Sequence, residues 1–407
     1  MHNAFRNSIV LFLLWCFSLE AIAQQNSPTP EKMDSVSWNY YLSGDWDALI
    51  ETGKLARKHH ISFKWLEQRL GYAWYLKGDY YKSKLHYMNA LQLDANDSIT
   101  HLYLYYTNLA TGHTAIARYH ASRLNPESLK NLKIQQWRLL HSIDAEYSMK
   151  RPDAYYRDND LREDGFYRRI GLHSLPGFRL SVYQSLSGYQ QTTENENTTN
   201  QLEYSALINY QLSSRLSMGA GYHFTGTRYT VLPDSFYLPG NQLSAFANYY
   251  WLHFDFSAGV SRYTNEFSRV DQAGLHWGTG FSLPVPLYFK SSVYWLNEHW
   301  TDATTLEPVY FEHLVFNQSA GAMIWKNRLW AEASVTLGNQ NNFTAADGLY
   351  FYNAPDPVVF KTGLGLTACL TRKLSSSIHY GIEKKHWIIN DEYYLQQAIT
   401  GGIVWIL

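Results

Sequence analysis

Along the last sixty per cent of this chain, apolar and polar residues alternate over segments of mostly 12–16 residues. An ordinary globular strand runs to about 5–6 residues, and period-2 alternation at more than twice that length leaves few folds open. In the last segment, Tyr393, Leu395, Ile399, Ile403, Trp405 and Leu407 share one face, opposite Gln396, Ala398, Thr400, Gly402 and Val404. Another sets Leu287, Phe289, Val293 and Trp295 against Tyr288, Lys290, Ser292, Tyr294 and Glu298. The polar faces are rich in Ser, Gly, Thr and Asn and poor in Lys, unlike a face turned to bulk water. Twelve such segments span about 177–190, 200–213, 214–229, 240–251, 252–264, 268–283, 286–299, 309–325, 327–340, 356–371, 373–387 and 392–407.

Long alternating strands with an even count suit a closed transmembrane barrel, whose apolar face meets lipid and whose small-polar face meets a lumen. Closure also removes the edges that long hairpins would expose. Short connections at Ser213-Ser214, Trp251-Leu252, Pro284-Val285-Pro286, Lys326-Asn327 and Arg372-Lys373 alternate with longer ones near 191–199, 231–239, 300–308 and 341–355. That asymmetry is the one between periplasmic turns and extracellular loops. Trp251, Trp277, Trp295, Trp325, Trp387 and Trp405 stand near segment ends, where interfacial girdles form. Composition agrees: aromatics are 16% and charged residues 17%, the latter below the roughly 25% of an average soluble domain. A net charge of −1 gives no basic face for nucleic acid.

The N-terminus carries Arg6, then an apolar run from Ile9 to Phe17, then Ala21-Ile22-Ala23. A positive start, a short apolar core and a small-x-small site read as a secretory signal peptide cut after Ala23. Cys16 leaves with it, so Cys369 stands alone and no internal disulfide forms.

Between these regions the period is helical. Gly44, Gly78 and Gly112 are spaced by 34 residues, in the contexts Gly44-Asp45-Trp46, Gly78-Asp79-Tyr80 and Gly112-His113-Thr114. In the middle copy, Leu70, Gly71 and Trp74 lie on a first helix, Gly78 and Tyr80 at the turn, and Tyr87 and Ala90 on a second helix. This pattern resembles the tetratricopeptide repeat, in which small residues let paired helices approach and large ones fill the space between repeats. The resemblance implies a repeat-packing and partner-docking surface on Gly44, Trp46, Leu70, Gly71, Trp74, Gly78, Tyr80, Tyr87, Ala90 and Gly112. Glu127 to Tyr147 reads as a capping amphipathic helix, and the charge-dense stretch that follows as a linker.

The expected fold is α+β multidomain: N-terminal α-helical repeats, then a C-terminal antiparallel transmembrane β-barrel of about twelve strands. The expected divisions are 1–23 signal peptide, 24–33 flexible lead, 34–148 periplasmic repeats with a capping helix, 149–165 linker and 166–407 barrel. Alternation assigns Arg179, Glu203, His253, Asp255, His276, Lys290, Glu298, His313, Arg328, Glu332, Lys361, Glu383 and Lys385 to the lumen. Five bases and five acids on that surface argue against a field selective for one charge. His223 and His379 also point inward. No metal-type His or carboxylate spacing and no G-x-S-x-G motif appears, so neither a catalytic site nor a cofactor or metal is expected. A barrel-embedded hydrolase would need a Ser and a His to converge from neighbouring strands.

The layout resembles the outer-membrane exporters of secreted polysaccharides, in which periplasmic tetratricopeptide repeats precede a barrel. With three repeats and about twelve strands this chain is smaller than those exporters. The leading expectation is therefore an outer-membrane barrel whose periplasmic repeats dock an envelope protein partner. The alternative is a channel or exporter for a polysaccharide or small solute. Either way the expected surroundings are outer-membrane lipid, with no nucleic acid.

Overall fold

The computed structural model describes residues 28–407 except 232, 282–284, 302–306, 326–327, 346–347, 353–355 and 389. The expected signal peptide lies outside the described residues. The chain divides into two compact units, one ending at Gly112 and the other running from His113 to Leu407.

The first unit is helical: α1 (Pro30–Ser43), α2 (Trp46–Lys58), α3 (Lys64–Leu76), α4 (Tyr80–Leu93) and α5 (Ser98–Ala110). Gly44 and Gly78 end their helices with φ of +72° and +77°, and Gly112 follows α5 with φ of +80°. An L side chain is strained there, so glycine makes the sharp stop. Asp45 and Asp79, each one residue later, start the next helix by accepting the N–H groups of Ala48 and Lys82. A Gly-Asp pair thus ends one helix and begins the next. α1 packs on α2 and α3, α3 on α4, and α4 on α5.

Leu70, Gly71, Tyr87 and Ala90 are buried, so they build the packing rather than an exposed docking surface. A Cβ on Gly71 would stand 2.8 Å from the Tyr87 ring. Tyr87 cannot retreat, because it stacks on Tyr103 with ring centroids 5.0 Å apart. Gly71→Val is therefore expected to destabilise the helical unit by about 1–3 kcal/mol through overpacking. Thermal melting of the helical circular-dichroism signal of the full chain checks this, and an unchanged midpoint would refute the contact.

Glu67 is buried between α3 and α4. Its carboxylate lies 2.7 Å from His86 Nδ1 and accepts hydrogen bonds from Asn89 and Ser62. Burial pushes its carboxyl up, but the hydrogen bond and charge of His86, with Asn89 and Ser62, outweigh that and hold it below the usual range. A depressed folded pKa stabilises above the unfolded value of about 4.3, and the contribution is lost as pH falls through the folded value. Glu67→Gln should cost about 1–2 kcal/mol at pH 7. The gap from wild type should narrow on acidification below pH ~4, which acid titrations of the two proteins can test.

The second unit begins with α6 (Thr114–Ala121) and α7 (Pro126–Asn131). Fourteen antiparallel strands then close into a barrel. They are β1 (Trp137–Pro152), β2 (Gly165–Pro176), β3 (Leu180–Thr192), β4 (Thr198–Gln211), β5 (Leu216–Val231), β6 (Asp234–Trp251), β7 (Phe254–Asn265), β8 (Ser268–Phe281), β9 (Leu287–Thr301), β10 (Pro308–Trp325), β11 (Leu329–Leu337), β14 (Val358–Cys369), β15 (Leu374–Trp387) and β16 (Glu392–Ile406). β12 (Phe343–Ala345) and β13 (Tyr350–Tyr352) form a separate two-stranded hairpin. A short helix, α8 (Ala154–Asp158), lies between β1 and β2.

The expected count of twelve strands is corrected to fourteen. The additional strands are β1, from the segments assigned to a capping helix and a linker, and β2, from the start of the barrel region, where no strand was expected before residue 177. Of that capping helix only α7 is helical. β1 does alternate: Ile143, Ala145, Tyr147 and Met149 oppose Ser142, Asp144, Glu146, Ser148 and Lys150. Its signal is masked because its lumen face carries charges, as a solvated helix face does. The adjacent Leu139 and Leu140 also break the pattern, where the β1–β2 register shifts between Arg138 and Ser142. β1 pairs with β16 from Ser142↔Ile406 to Pro152↔Gln396, and this seam closes the barrel.

β6 begins at Asp234, so most of the expected long loop at 231–239 is strand. The outward faces are mainly apolar, with Leu202, Leu243, Val260 and Leu364 each 60–66% exposed. A closed ring of strands wearing such a belt is an outer-membrane barrel. Trp251, Trp277, Trp325 and Trp405 stand exposed toward the ends of strands that finish at the short turns, as a girdle requires. Trp387 does not belong to it, being 3% exposed and packed in a polar cluster described below. β1 starts and β16 finishes at the short-turn end, which is periplasmic, so the chain enters the barrel from the periplasmic side.

Candidate functional site

The loop between β11 and β14 turns inward, and its hairpin β12–β13 sits in the lumen. The reason is chemical. Phe343, Phe351 and Tyr352 meet an apolar lumen patch of Tyr263, Val270, Tyr294, Leu296 and Val315. The Phe351 ring centroid lies 4.4 Å from that of Tyr263, and the Phe343 centroid 4.8 Å from that of Tyr294. In an open aqueous lumen this patch and the hairpin's aromatics would all be wetted, so burying them together stabilises the inward position.

Polar contacts fix the hairpin's register. The Gln272 amide donates to Thr344 O at 2.8 Å and accepts from Thr344 N–H at 3.0 Å. His223 lies with Nδ1 3.2 Å from Gly348 O and Nε2 3.1 Å from Glu203. Glu203 also accepts from Ser187 and Gln201, so a carboxylate buried to 5% exposure is fully engaged. Arg169 pairs with Asp144 at 3.3 Å and Glu146 at 3.1 Å, and its guanidinium lies 4.9 Å from the Tyr350 ring centroid. Lys361 lies 5.1 Å from the Tyr352 ring centroid and pairs with Glu383 at 3.3 Å.

The hairpin is also held from above. Arg162, between α8 and β2, forks onto Asp356 with Nε–Oδ2 of 2.7 Å and Nη2–Oδ1 of 3.2 Å. Tyr394 donates to the same carboxylate at 2.7 Å, and Arg162 lies 4.7 Å from the Trp387 ring centroid. Tyr156 packs on Tyr394 at a centroid distance of 4.6 Å. This cluster ties the β1–β2 loop, the returning arm of the inward loop and the tops of β15 and β16 together at the extracellular end.

At the periplasmic end α6 lies against the turns. Arg118 donates to the carbonyls of Gln136 and Gly177, Arg179 lies over the Tyr119 ring, and His113 meets Asp255 at 3.1 Å.

The residues assigned to the lumen separate into three groups. Glu203, His276, Glu298, His313, Lys361 and Glu383 face the interior and are packed there, with His313 3.8 Å from Glu298. Asp255, Lys290 and Glu332 share the interior face but stay accessible toward the periplasmic half. Arg179, His253 and Arg328 lie in turns at the periplasmic rim, not in the wall, because the strands begin one residue later. Alternation speaks only for residues on strands. It missed the hairpin, Arg162 and Asp356, which belong to no membrane strand, and Lys150 and Arg169, whose charges hid β1 and β2.

A Ser and a His do converge: His276 Nδ1 lies 2.8 Å from Ser292 Oγ. Among the described residues no carboxylate is bonded to the other ring nitrogen, so the third member that orients the base in a hydrolytic triad is missing. No group of three or more His, Cys, Asp or Glu placed to hold a metal occurs among the described residues.

No family model matches the chain, and no curated protein matches it. Solved structures similar to it include the CymD monoaromatic hydrocarbon channel, at 10% identity and a TM-score of 0.43, covering 70% of this chain and 91% of that one. A Pseudomonas aeruginosa FadL homologue aligns at 10% identity and a TM-score of 0.43, covering 70% of this chain and 94% of its own. A bacterial polysaccharide outer membrane secretin aligns at 12% identity and a TM-score of 0.40, covering 66% and 99%. At these identities the likeness is one of barrel architecture alone.

Proposed function

We propose that this protein is an outer-membrane channel for small polar solutes, closed by its own inward loop. The observation that carries the reading is the β12–β13 hairpin, seated in the lumen on an aromatic patch and pinned by Gln272, His223 and Arg169. A lumen serving only as a scaffold needs no such ligand-like segment, and eight-stranded barrels fill their interiors with wall side chains alone. A fourteen-stranded barrel encloses more space, and here the β12–β13 hairpin occupies part of it. The test is planar-bilayer conductance of the wild type against a protein lacking the hairpin. Little current from the first and a stable open channel from the second is the expected result.

The helical unit is read as tetratricopeptide-like. The 34-residue spacing of Gly44, Gly78 and Gly112, each with left-handed φ, supports this, as does the close seat of Gly71 on Tyr87. Its role in this reading is to dock an envelope protein on the periplasmic side. The exposed Trp38 and Trp65 favour that role, since Trp is enriched where interfaces concentrate their affinity.

A further inference from the structure

Beside the hairpin, β1–β4 and β14–β16 line a cavity of about 160 Å³. Its lining includes Lys150, Lys361, Lys385 and Glu383. Glu383 is fully buried and takes Lys150 on one oxygen and Lys361 on the other, both at 3.3 Å. Lys385 follows two residues later on the same strand, so it shares that face. It is 2% exposed, and no carboxylate among the described residues lies within ion-pair distance of it. The other acids of the lining are engaged elsewhere, Glu146 by Arg169 and Glu203 by His223, Ser187 and Gln201. Three ammonium groups thus face one available carboxylate. Gln340 lines the same space at 2% exposure, and its Nε2 has no hydrogen-bond partner among the described residues.

A buried ammonium whose neighbouring carboxylates, Glu383 and Asp356, already pair with other cations, and a buried amide donor without an acceptor, are each costly. One occupant relieves both: a small anion accepting from Lys385 and from Gln340. We propose that this cavity is a binding site for a small oxyanion, a carboxylate or a phosphate. A cavity of about 150 Å³ holds a benzene-sized molecule, which sets the scale of the ligand. The rings of Tyr167, Tyr189 and Phe351 on the lining offer faces for its carbon skeleton. The inference names the solute class of the channel reading and rests on that reading for its route, while the site itself is measurable without conduction.

The experiment is isothermal titration of the full chain in detergent micelles with sodium glucuronate, acetate and inorganic phosphate, with glucose as the uncharged counterpart of glucuronate. At least one oxyanion should bind and glucose should not. Lys385→Met should weaken that binding about tenfold or more. Glu383→Gln, which removes the competing negative charge, should strengthen it. Binding by phosphate alone identifies an inorganic ligand, and binding by glucuronate or acetate an organic acid. Should Lys385→Met fail to fold, shown by loss of the heat-modifiable gel shift, Gln340→Leu serves in its place and should weaken binding severalfold. Absence of binding by every oxyanion, equal binding of glucose, or indifference to both substitutions overturns the proposal. Oxyanion binding by a protein that passes no current without its hairpin keeps the site and removes the channel. Current without binding does the reverse.

Discussion

Deletion of residues 343–352 should turn a barrel that passes little current into an open channel, with conductance rising about tenfold or more. The hairpin in that stretch carries Phe343, Phe351 and Tyr352, which cover the lumen patch around Tyr263 and Tyr294. Barrels of about eight strands are filled by their own side chains, and those of about 16–18 leave a water-filled pore. Fourteen strands lie near the second regime once the inserted segment is gone. The wall should survive, because every wall strand keeps both neighbours and the hairpin pairs only with itself. Retention of the heat-modifiable gel shift would show that. An intact barrel whose conductance stays at the wild-type level would refute the hairpin as the closing element.

Arg162→Ala should release the loop without dissolving the barrel. Arg162 and Asp356 are 4% and 5% exposed, joined by two hydrogen bonds and flanked by Tyr394 and Trp387. Removing one partner leaves the other charge buried and unpaired, which costs about 3–5 kcal/mol. Most of that cost should be relieved locally, by lifting residues 338–357 into water. Hydrogen exchange should accelerate in that loop and not in β1–β10. The double variant with Asp356→Ala should cost less than the two single changes added, since the stranded charge is then gone. Purely additive costs would mean that the two residues do not act as one latch. Channel recordings of Arg162→Ala should also show more frequent opening than wild type.

Both expectations concern a segment that the sequence marks only as a long loop. Residues 341–355 interrupt the alternation, and Pro355 and Pro357 stand on the way out, so nothing local distinguishes a loop in water from one turned inward. The decision is made by partners far along the chain: Tyr263, Gln272 and Tyr294 on the wall, and Arg162 nearly two hundred residues upstream of Asp356. Likewise Lys361, Glu383 and Lys385 are legible as lumen residues from alternation, but the cavity they form with Gln340 and Lys150 is not. Lys150 joins them only because β1 closes the ring on β16. Five bases and five acids, summed over a lumen, look neutral. Distributed in space, Lys361 and Lys385 gather with Lys150 around Glu383.

The strand–turn alternation and the 34-residue spacing of Gly44, Gly78 and Gly112 by themselves determined a helical unit followed by a lipid-facing barrel. Each is a local rule, set by side-chain period and by the φ that glycine permits. The strand count, the seam and the inward loop were decided only by tertiary structure. They depend on which distant segments satisfy one another's backbone hydrogen bonds and buried charges. In β1 the lumen charges Asp144, Glu146 and Lys150 disguised a strand as a solvated helix face. Their partners Arg169 and Glu383 come from β2 and β15. The pairs with Arg169 form with the β1–β2 hairpin, and the pair of Lys150 with Glu383 exists only once the barrel has closed.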